Sequence, residues 1–219
     1  MATSIYDYQP KLIVSEGIMN NIDAMFNEDP AVFATAYFKY LSKVLAKIDV
    51  TEVAQFIKTL LDARESESKI LFMGNGGSAA TASHFANDLA IGTNSYHKPF
   101  RALSITDNIP VMTAIGNDFG YEDIFDRQLR VLGRPRDVLV GISASGNSPN
   151  LIKAFASARG LGIKTVALTA FDGGRMREMA DEGIHVPTGM KEYGPAEDAH
   201  MVLDHLVGAY LIQLLKNGR

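Results

Sequence analysis

The feature that most constrains the fold is a regular alternation of short apolar runs with glycine-rich turns and helical stretches after Lys69. Strands that are apolar on both faces, and that alternate with helices, are typical of a parallel sheet covered by helices on both sides. The pattern therefore predicts a three-layer α/β domain. The five predicted strands are Ile70–Met73, Ala102–Ile105, Val138–Ile142, Thr165–Leu168 and Ile184–Pro187.

Helical periodicity precedes, interrupts and follows these strands, with apolar residues at spacings of three and four. Before the strands, it predicts helices over Leu12–Phe26, Ala31–Ile48 and Val50–Ala63. Between and after them, it predicts helices over Ala79–Ile91, Tyr121–Leu132, Pro149–Arg159, Gly174–Ala180 and Ala196–Leu215. We expect one domain over 1–219, with N-terminal helices over 1–66, an α/β core over 67–190 and a C-terminal helix over 195–217. Apolar residues on the outer faces of the terminal helices favour an oligomer interface.

Composition excludes several classes of protein. The chain has 219 residues, of which 47% are hydrophobic, so it can bury one sizeable core. Its formal charge of −4 provides no broad basic face for nucleic acid. The absence of cysteine excludes disulfides, thiolate metal sites and cysteine nucleophiles. No signal peptide and no apolar run of about 18 residues are found, so we expect a cytoplasmic protein with no membrane partner.

Two turns rich in glycine and serine share one design, because each follows a predicted strand and leads directly into a predicted helix. They are Gly74-Asn75-Gly76-Gly77-Ser78 and Ser143-Ala144-Ser145-Gly146-Asn147-Ser148. Backbone N–H groups in such a turn can approach an anion closely, and the helix N-terminus adds partial positive charge. Serine hydroxyls can donate further hydrogen bonds. In a parallel sheet these turns lie at the carboxyl ends of the strands, where ligands bind.

Each turn taken alone is also explained as a tight turn in which Ser78 or Ser148 is the helix N-cap. Neither turn matches a P-loop, because no Gly-Lys-Ser/Thr follows, and the first lacks the third glycine of a dinucleotide fingerprint. The two turns together favour a phosphomonoester, bound by serine hydroxyls and backbone N–H groups without a lysine.

Two predicted helices carry titratable side chains at informative spacings. His84 and Asp88 are four residues apart, so they share one face of the helix that begins at the first glycine turn. His200 and His205 differ by about 140° around the last helix, so they are not expected to share a site. From the residues alone, His84 and Asp88 can equally be a solvated pair, and His205 a hydrogen-bonded core histidine. The last helix carries five such polar residues: Glu197, Asp198, His200, Asp204 and His205.

These motifs resemble those of the SIS (sugar isomerase) domain, and most closely those of its phosphoheptose isomerase branch. The resemblance covers roughly Ile13 to Leu215. It implies a flavodoxin-like, five-stranded parallel sheet with an N-terminal helical extension, and a homotetramer whose active sites lie where subunits meet. The motifs that carry it are Gly74–Ser78, Ser83–Ala86, Gly116–Gly120, Gly141–Ser148, Ala167–Gly174, and His200 with His205.

The resemblance also implies roles for individual residues. Asn117 and Asp118, expected on the turn before Phe119-Gly120, would hold sugar hydroxyls. In the family, the positions of His84, Asp88, Glu197 and His205 form the catalytic and metal-binding cluster, with zinc as the implied metal. Asp88 would be the base, His205 the acid or proton shuttle, and Glu197 would also contact substrate. The residues implied around the phosphate are Asn75, Gly76, Gly77, Ser78, Ser143, Ala144, Ser145 and Ser148.

This chain departs from the family at two of these positions, since the family usually has Glu at position 88 and Gln at position 197. Asp88 is one methylene shorter, and a displacement of that size in a catalytic base can slow a reaction. Glu197 adds a negative charge, which suits a divalent metal.

The resemblance implies an aldose–ketose isomerase that acts through an enediol. The implied reaction converts sedoheptulose 7-phosphate to D-glycero-D-manno-heptose 7-phosphate for bacterial surface glycans such as lipopolysaccharide. Two alternatives stay open: an isomerase of another phosphosugar, and a non-catalytic SIS protein that binds phosphosugars or partners the replication initiator DnaA. The presence of His84, Asp88 and His205 favours an enzyme, and the residues by themselves do not specify the sugar.

Overall fold

The computed structural model describes residues 20–218, and its centre is one sheet of five parallel strands. The strand order is β2-β1-β3-β4-β5. The predicted strands and the predicted parallel sheet are confirmed. The strands are β1 (Lys69–Gly74), β2 (Arg101–Ser104), β3 (Val138–Ser143), β4 (Lys164–Ala170) and β5 (Glu182–Val186).

Nine α-helices are present within residues 20–218, and two short irregular turns accompany them: a π-helical turn over Asp88–Gly92 and a 3₁₀ turn over Tyr121–Asp123. Of the predicted helix Leu12–Phe26, the part before residue 20 lies outside the described residues. Within residues 20–218, no helix combines the length and the apolar character needed to cross a membrane. The helices are α1 (Asn21–Met25), α2 (Pro30–Leu45), α3 (Val50–Glu65), α4 (Gly77–Asn87), α5 (Ile109–Phe119), α6 (Asp126–Leu132), α7 (Pro149–Gly160), α8 (Gly174–Met179) and α9 (Tyr193–Lys216).

The strands are apolar along their length because both faces of the sheet are covered. Successive side chains of a strand point to opposite faces. On β1, Ile70 and Phe72 face a core shared with α3, α4 and α9, whereas Leu71 and Met73 face a core shared with α6 and α7. In the first core, the rings of Phe72 and Phe85 stack with centroids 5.1 Å apart, which fixes α4 against β1.

Helix α5 corrects the expectation that Asn117 and Asp118 lie on a turn, because both belong to its last helical turn. The helix begins with local signals: the Asn108 side chain accepts a hydrogen bond from the backbone N–H of Val111, and a proline occupies the first turn. Gly120 ends it with a φ of 99°, a conformation that favours glycine. The predicted helix Tyr121–Leu132 is likewise divided into the 3₁₀ turn and α6.

Candidate active site

The two glycine- and serine-rich turns lie side by side at the carboxyl edge of the sheet. They follow β1 and β3, which are hydrogen-bonded neighbours. From β1 the sheet continues to β2 on one side and to β3 on the other, so the crevice between the two turns is the topological switch point. In open α/β sheets, this crevice is where ligands bind.

Neither Ser78 nor Ser148 caps a helix with its side chain. The N-cap of α4 is Gly76, whose φ is 54°, and Ser78 lies inside the helix. Ser148 occupies the N-cap position of α7 but makes no capping hydrogen bond with its side chain. Ser78 is therefore not an N-cap, and capping does not engage the Ser148 hydroxyl.

A pair of amides, one of them buried, connects the first turn to the start of α7. Asn75 Nδ2 donates to Asn150 Oδ1 at 3.0 Å, and Asn150 Nδ2 donates to Asn75 Oδ1 at 2.9 Å. Asn150 is 1% exposed, and the Tyr121 hydroxyl also donates to Asn75 Oδ1. The first turn is thus held in register with the start of α7.

The turn after β4 packs against the second glycine- and serine-rich turn. Gly146 has a φ of 61°, and a Cβ added there would collide with the backbone carbonyl of Gly173. The backbone N–H of Arg175 donates to Asn147 Oδ1, and Ser143 Oγ accepts from the Gly146 N–H. Gly146 and Gly173 therefore allow the turn after β3 and the turn after β4 to pack with their backbones in contact.

A group of four titratable side chains forms where α4 and the π-helical turn pack against α9. His205 Nε2 lies 3.3 Å from His84 Nε2, and the two rings meet edge to face. Asp88 Oδ2 lies 3.5 Å from His84 Nε2, and Asp204 Oδ2 lies 3.7 Å from the same atom. The four side chains offer ligand atoms that all lie within 4.8 Å of one another. Such a set can hold a metal ion.

Asp204 differs from the other three members of this group in its burial. Its side chain is 0% exposed, whereas those of His84 and Asp88 are 42% and 27% exposed. Neither Asp204 oxygen has a hydrogen-bond partner within residues 20–218. Burial, and then the negative charge of Asp88, raise the pKa of Asp204 to about 7. A carboxylate left without partners in this way fits a bound cation.

Comparison with known proteins agrees with this arrangement. Residues 36–170 match the SIS domain family. The phosphoheptose isomerase of Akkermansia muciniphila is 42% identical over 157 residues, which span 71% of this chain and 82% of that protein. The chain belongs to the phosphoheptose isomerases of the SIS domain family.

Two solved phosphoheptose isomerases share the fold. The structure from Neisseria gonorrhoeae has a TM-score of 0.73 at 34% identity and covers 81% of this chain and 96% of its own. The structure from Francisella tularensis has a TM-score of 0.76 at 28% identity, with coverages of 82% and 96%.

Of the four cluster positions implied by the phosphoheptose isomerase resemblance, the structure brings three together and leaves Glu197 apart. The Glu197 carboxylate lies against Gly77, where an added Cβ would collide with it. Burial, together with the neighbouring Asp198, raises the pKa of Glu197 above its ordinary value. Because α4 and α9 run parallel, Glu197 is beside the first glycine-rich turn, and Asp204 is beside His84 two helical turns further along.

Two other polar residues of α9 are engaged in contacts outside the four-residue group. His200 is fully buried, and its Nε2 lies 3.4 Å from the carbonyl oxygen of Thr169. Burial lowers the pKa of His200 to about 4. Asp198 accepts a hydrogen bond from the Tyr37 hydroxyl of α2. The prediction that His200 and His205 do not share a site is confirmed.

Asn117 and Asp118 are exposed at the end of α5, where Asn117 Nδ2 donates to Asp118 Oδ1 at 2.8 Å. They do not touch the four-residue group. The hydrogen bond from Tyr121 to Asn75 keeps this end of α5 near the first glycine-rich turn.

Proposed function

We propose that this chain is an aldose–ketose isomerase that converts sedoheptulose 7-phosphate to D-glycero-D-manno-heptose 7-phosphate for bacterial surface glycans. One observation carries the proposal. A single helix, α4, begins in the first glycine-rich turn and presents His84, with Asp88 just after its end, beside His205 of α9. A phosphate site and a set of proton-transfer groups are thereby held on one rigid element.

The spacing along α4 suits a long sugar phosphate. His84 follows Gly77 by seven residues, which corresponds to about 10 Å along a helix axis. An extended seven-carbon chain with a terminal phosphate is also about 10 Å long, given single bonds of about 1.5 Å. A phosphate in the turns would therefore place the opposite, carbonyl-bearing end of the sugar near His84.

We propose that the two turns bind the phosphate through hydrogen bonds from serine hydroxyls and backbone N–H groups. The hydroxyls are those of Ser78, Ser143, Ser145 and Ser148, and the N–H groups are those of Asn75, Gly76, Gly77 and Ala144. Ser148 projects from the N-terminus of α7 without a capping bond. A helix N-terminus with free N–H groups favours a dianionic phosphate. Asn117, Asp118 and Glu197 are proposed to contact sugar hydroxyls.

The isomerisation needs one group to remove the proton next to the carbonyl and another to move protons between the two oxygens. We assign Asp88 as the base, because its carboxylate is part-exposed and is flanked by an imidazole. We assign His205 as the acid or proton shuttle, because its ring is exposed and its Nε2 faces the same group. The proton removed from one carbon returns to the neighbouring carbon, so the enediol route consumes no redox partner.

We propose zinc as the resident metal, held by His84, Asp88 and His205, since imidazole nitrogens and carboxylate oxygens are ligands that zinc prefers. The unpartnered Asp204 carboxylate beside them supports a cation at this place. When bound, the ion would polarise the carbonyl oxygen and stabilise the negative charge that develops on it.

We propose a cytoplasmic homotetramer whose subunits meet near the active sites. Val202, Leu206 and Tyr210 form an exposed apolar row on α9, at spacings of four residues. Leu206 follows His205 directly, so a subunit packed on this row would also enclose the four-residue group. The row adjoins a 330 Å³ apolar groove that α2, α3 and α9 form together.

The test is conversion of sedoheptulose 7-phosphate by the purified protein, first metal-free and then with added zinc. We expect Asp88→Asn and His205→Ala to abolish turnover. His97→Ala, which removes an exposed imidazole outside the site, is the matched control and should keep full activity. Absence of turnover by the wild type under both conditions would refute the heptose substrate. Phosphosugar binding without turnover of any tested sugar would point to a binding role instead.

A further inference from the structure

We infer that Tyr193, at the first position of α9, lines the substrate crevice and donates a hydrogen bond from its hydroxyl to the substrate phosphate. The inference rests on the proposed function, because it takes the two glycine- and serine-rich turns to be the phosphate site. It adds a donor that neither the sequence motifs nor the resemblance assigns. A tyrosine hydroxyl suits this place, because a phosphate bound without lysine is held by uncharged donors.

The start of α9 spans the carboxyl edge of the sheet from the end of β1 to the end of β4. Glu197 lies against Gly77, in the turn that follows β1. The ring of Tyr193 meets the ring of Phe171, in the turn that follows β4, edge to face with centroids 5.1 Å apart. Tyr193 and Glu197 are four residues apart, so they share one face of α9. Because β3 lies between β1 and β4, this face crosses the end of β3, where the second glycine- and serine-rich turn begins.

The turn that carries Phe171 is in direct contact with the second glycine- and serine-rich turn. The backbone N–H of Ala170 donates to the carbonyl oxygen of Ala144 at 3.0 Å. A Cβ added at Gly174 would lie 2.3 Å from the carbonyl oxygen of Ser145. The tyrosine ring at the start of α9 therefore packs on a turn that touches one of the serines proposed to bind phosphate.

Backbone strain is present on both sides of Tyr193. Within residues 20–218, five non-glycine residues have a positive φ, and two of them are Phe171 at 56° and Lys191 at 65°. Phe171 is the ring partner of Tyr193, and Lys191 precedes it by two residues. Such strain persists only where the surrounding structure holds it, and it clusters at ligand-binding sites. The strained backbone around Tyr193 therefore favours a role in binding.

Hydrogen bonds to two carboxylates fix the backbone around Tyr193. Glu192 is 1% exposed, and its two oxygens accept four hydrogen bonds. The donors are the backbone N–H and the side-chain amide of Asn21, the Tyr40 hydroxyl and the backbone N–H of Gly189. On the other side, the Tyr37 hydroxyl donates to Asp198.

Tyr193 itself stays 52% exposed although α1 and α2 hold the backbone around it. A tyrosine that served only to fill the core would be buried more completely. A rigid aromatic side chain that is both exposed and preorganised can bind a ligand at little cost in conformational entropy. The exposure and the rigid support together point to a ligand contact.

The experiment compares Tyr193→Phe with the wild type in calorimetric binding of sedoheptulose 7-phosphate and of inorganic phosphate. Tyr193→Phe keeps the ring against Phe171 and removes only the hydroxyl. Tyr96→Phe is the matched control, because Tyr96 is an exposed tyrosine in the loop before β2, at the amino edge of the sheet. We expect Tyr193→Phe to weaken binding of both ligands by at least about 10-fold, since it removes a hydrogen bond to a charged group. Tyr96→Phe should change either affinity by less than about 2-fold.

Three further readouts distinguish a lost phosphate contact from a structural effect. The KM of Tyr193→Phe for sedoheptulose 7-phosphate should rise by about the same factor as the Kd, with kcat nearly unchanged, because the phosphate is bound equally before and during the reaction. The affinity for unphosphorylated sedoheptulose should be unchanged. The urea midpoint and the sedimentation coefficient should also match those of the wild type.

Wild-type affinity of Tyr193→Phe for both ligands would overturn the inference and leave the isomerase proposal intact. Dissociation of the assembly by Tyr193→Phe would also overturn it, because Tyr193 would then hold subunits together. If the wild type binds neither ligand, the inference and the proposed phosphate site both fail. Phosphate binding that depends on Tyr193, in a protein that does not convert sedoheptulose 7-phosphate, would support the inference and refute the proposed substrate.

Discussion

The bridge between Asn75 and Asn150 provides the sharpest test of how the two turns proposed to bind phosphate are coupled. Asn75→Ala or Asn150→Ala removes both of its hydrogen bonds, of 3.0 Å and 2.9 Å. Each change removes the bridging partner of the other amide. In Asn75→Ala, water does not replace the lost bonds, because the remaining Asn150 is 1% exposed. The two turns should then lose their fixed relative position.

The magnitude follows from the number of bonds. A hydrogen bond between neutral groups contributes about 0.5–1.5 kcal/mol net, so the bridge is worth about 1–3 kcal/mol. We expect each single variant to lose at least this much free energy of unfolding, because Asn75→Ala also removes the Tyr121 hydrogen bond and Asn150→Ala also removes the one from the Leu151 N–H. The loss in the double variant should be smaller than the sum of the two single losses by about 1–3 kcal/mol, because that sum counts the bridge twice. If half of the 1–3 kcal/mol attributed to the bridge is lost from the free energy of substrate binding, the Kd for sedoheptulose 7-phosphate rises roughly 2- to 10-fold.

The assay is a double-mutant cycle with two readouts: urea unfolding of the unliganded protein and calorimetric binding of sedoheptulose 7-phosphate. Tyr121→Phe is the control, because it removes one hydrogen bond to Asn75 and leaves the bridge in place. Strict additivity of the two single variants in both readouts would show that the amides are not coupled, and would refute the reasoning.

Three further predictions concern binding, pH and assembly. Ser148→Ala should weaken binding of the phosphorylated substrate roughly 10- to 100-fold, since a hydrogen bond to a charged group is worth about 1.5–3 kcal/mol. The free energy of unfolding should be unchanged, because the Ser148 side chain makes no capping bond. An equal loss of affinity for the unphosphorylated sugar would contradict this prediction. His200 has a folded pKa of about 4 and an ordinary value near 6.5, so between these pH values the unfolded chain binds a proton that the folded protein does not. The stability contributed by neutral His200 is therefore present above about pH 6.5, and about 3 kcal/mol of it is lost as the pH falls to 4. His200→Gln should flatten the dependence of the urea unfolding midpoint on pH over this range. A slope equal to that of the wild type would refute the assignment of the lowered pKa to His200. Leu206→Glu should dissociate the assembly in sedimentation and reduce turnover, whereas Ala156→Glu, on an exposed position of α7, should do neither.

Local patterns in the sequence were sufficient to predict the sheet and the positions of both glycine- and serine-rich turns. The apolar runs at Ile70–Met73 and Val138–Ile142 became strands buried on both faces. The strand-to-helix turns had to follow them, because glycine at position 76 permits the positive φ from which α4 begins. These features depend on residues close in sequence, so they could be predicted without a tertiary structure.

Helix α5 was missed although its start signals are local. Asn108 and Pro110 mark a helix N-terminus, but the glycine at position 116 and the Asn117-Asp118 pair resemble a turn. Packing against the 3₁₀ turn and the core decided the conformation, since Met112 and Ile115 pack against the buried residues on that side of the sheet.

The sequence by itself determined the fold class, the family and the presence of two histidines and one carboxylate in the candidate site. Only the tertiary structure decided that Asp204 stands beside them and that Glu197 stands beside Gly77. Helical periodicity specifies the direction in which a side chain leaves its own axis. It does not specify how far one helix is displaced along another. That displacement is set by the apolar side chains that α4 and α9 bury together over the sheet.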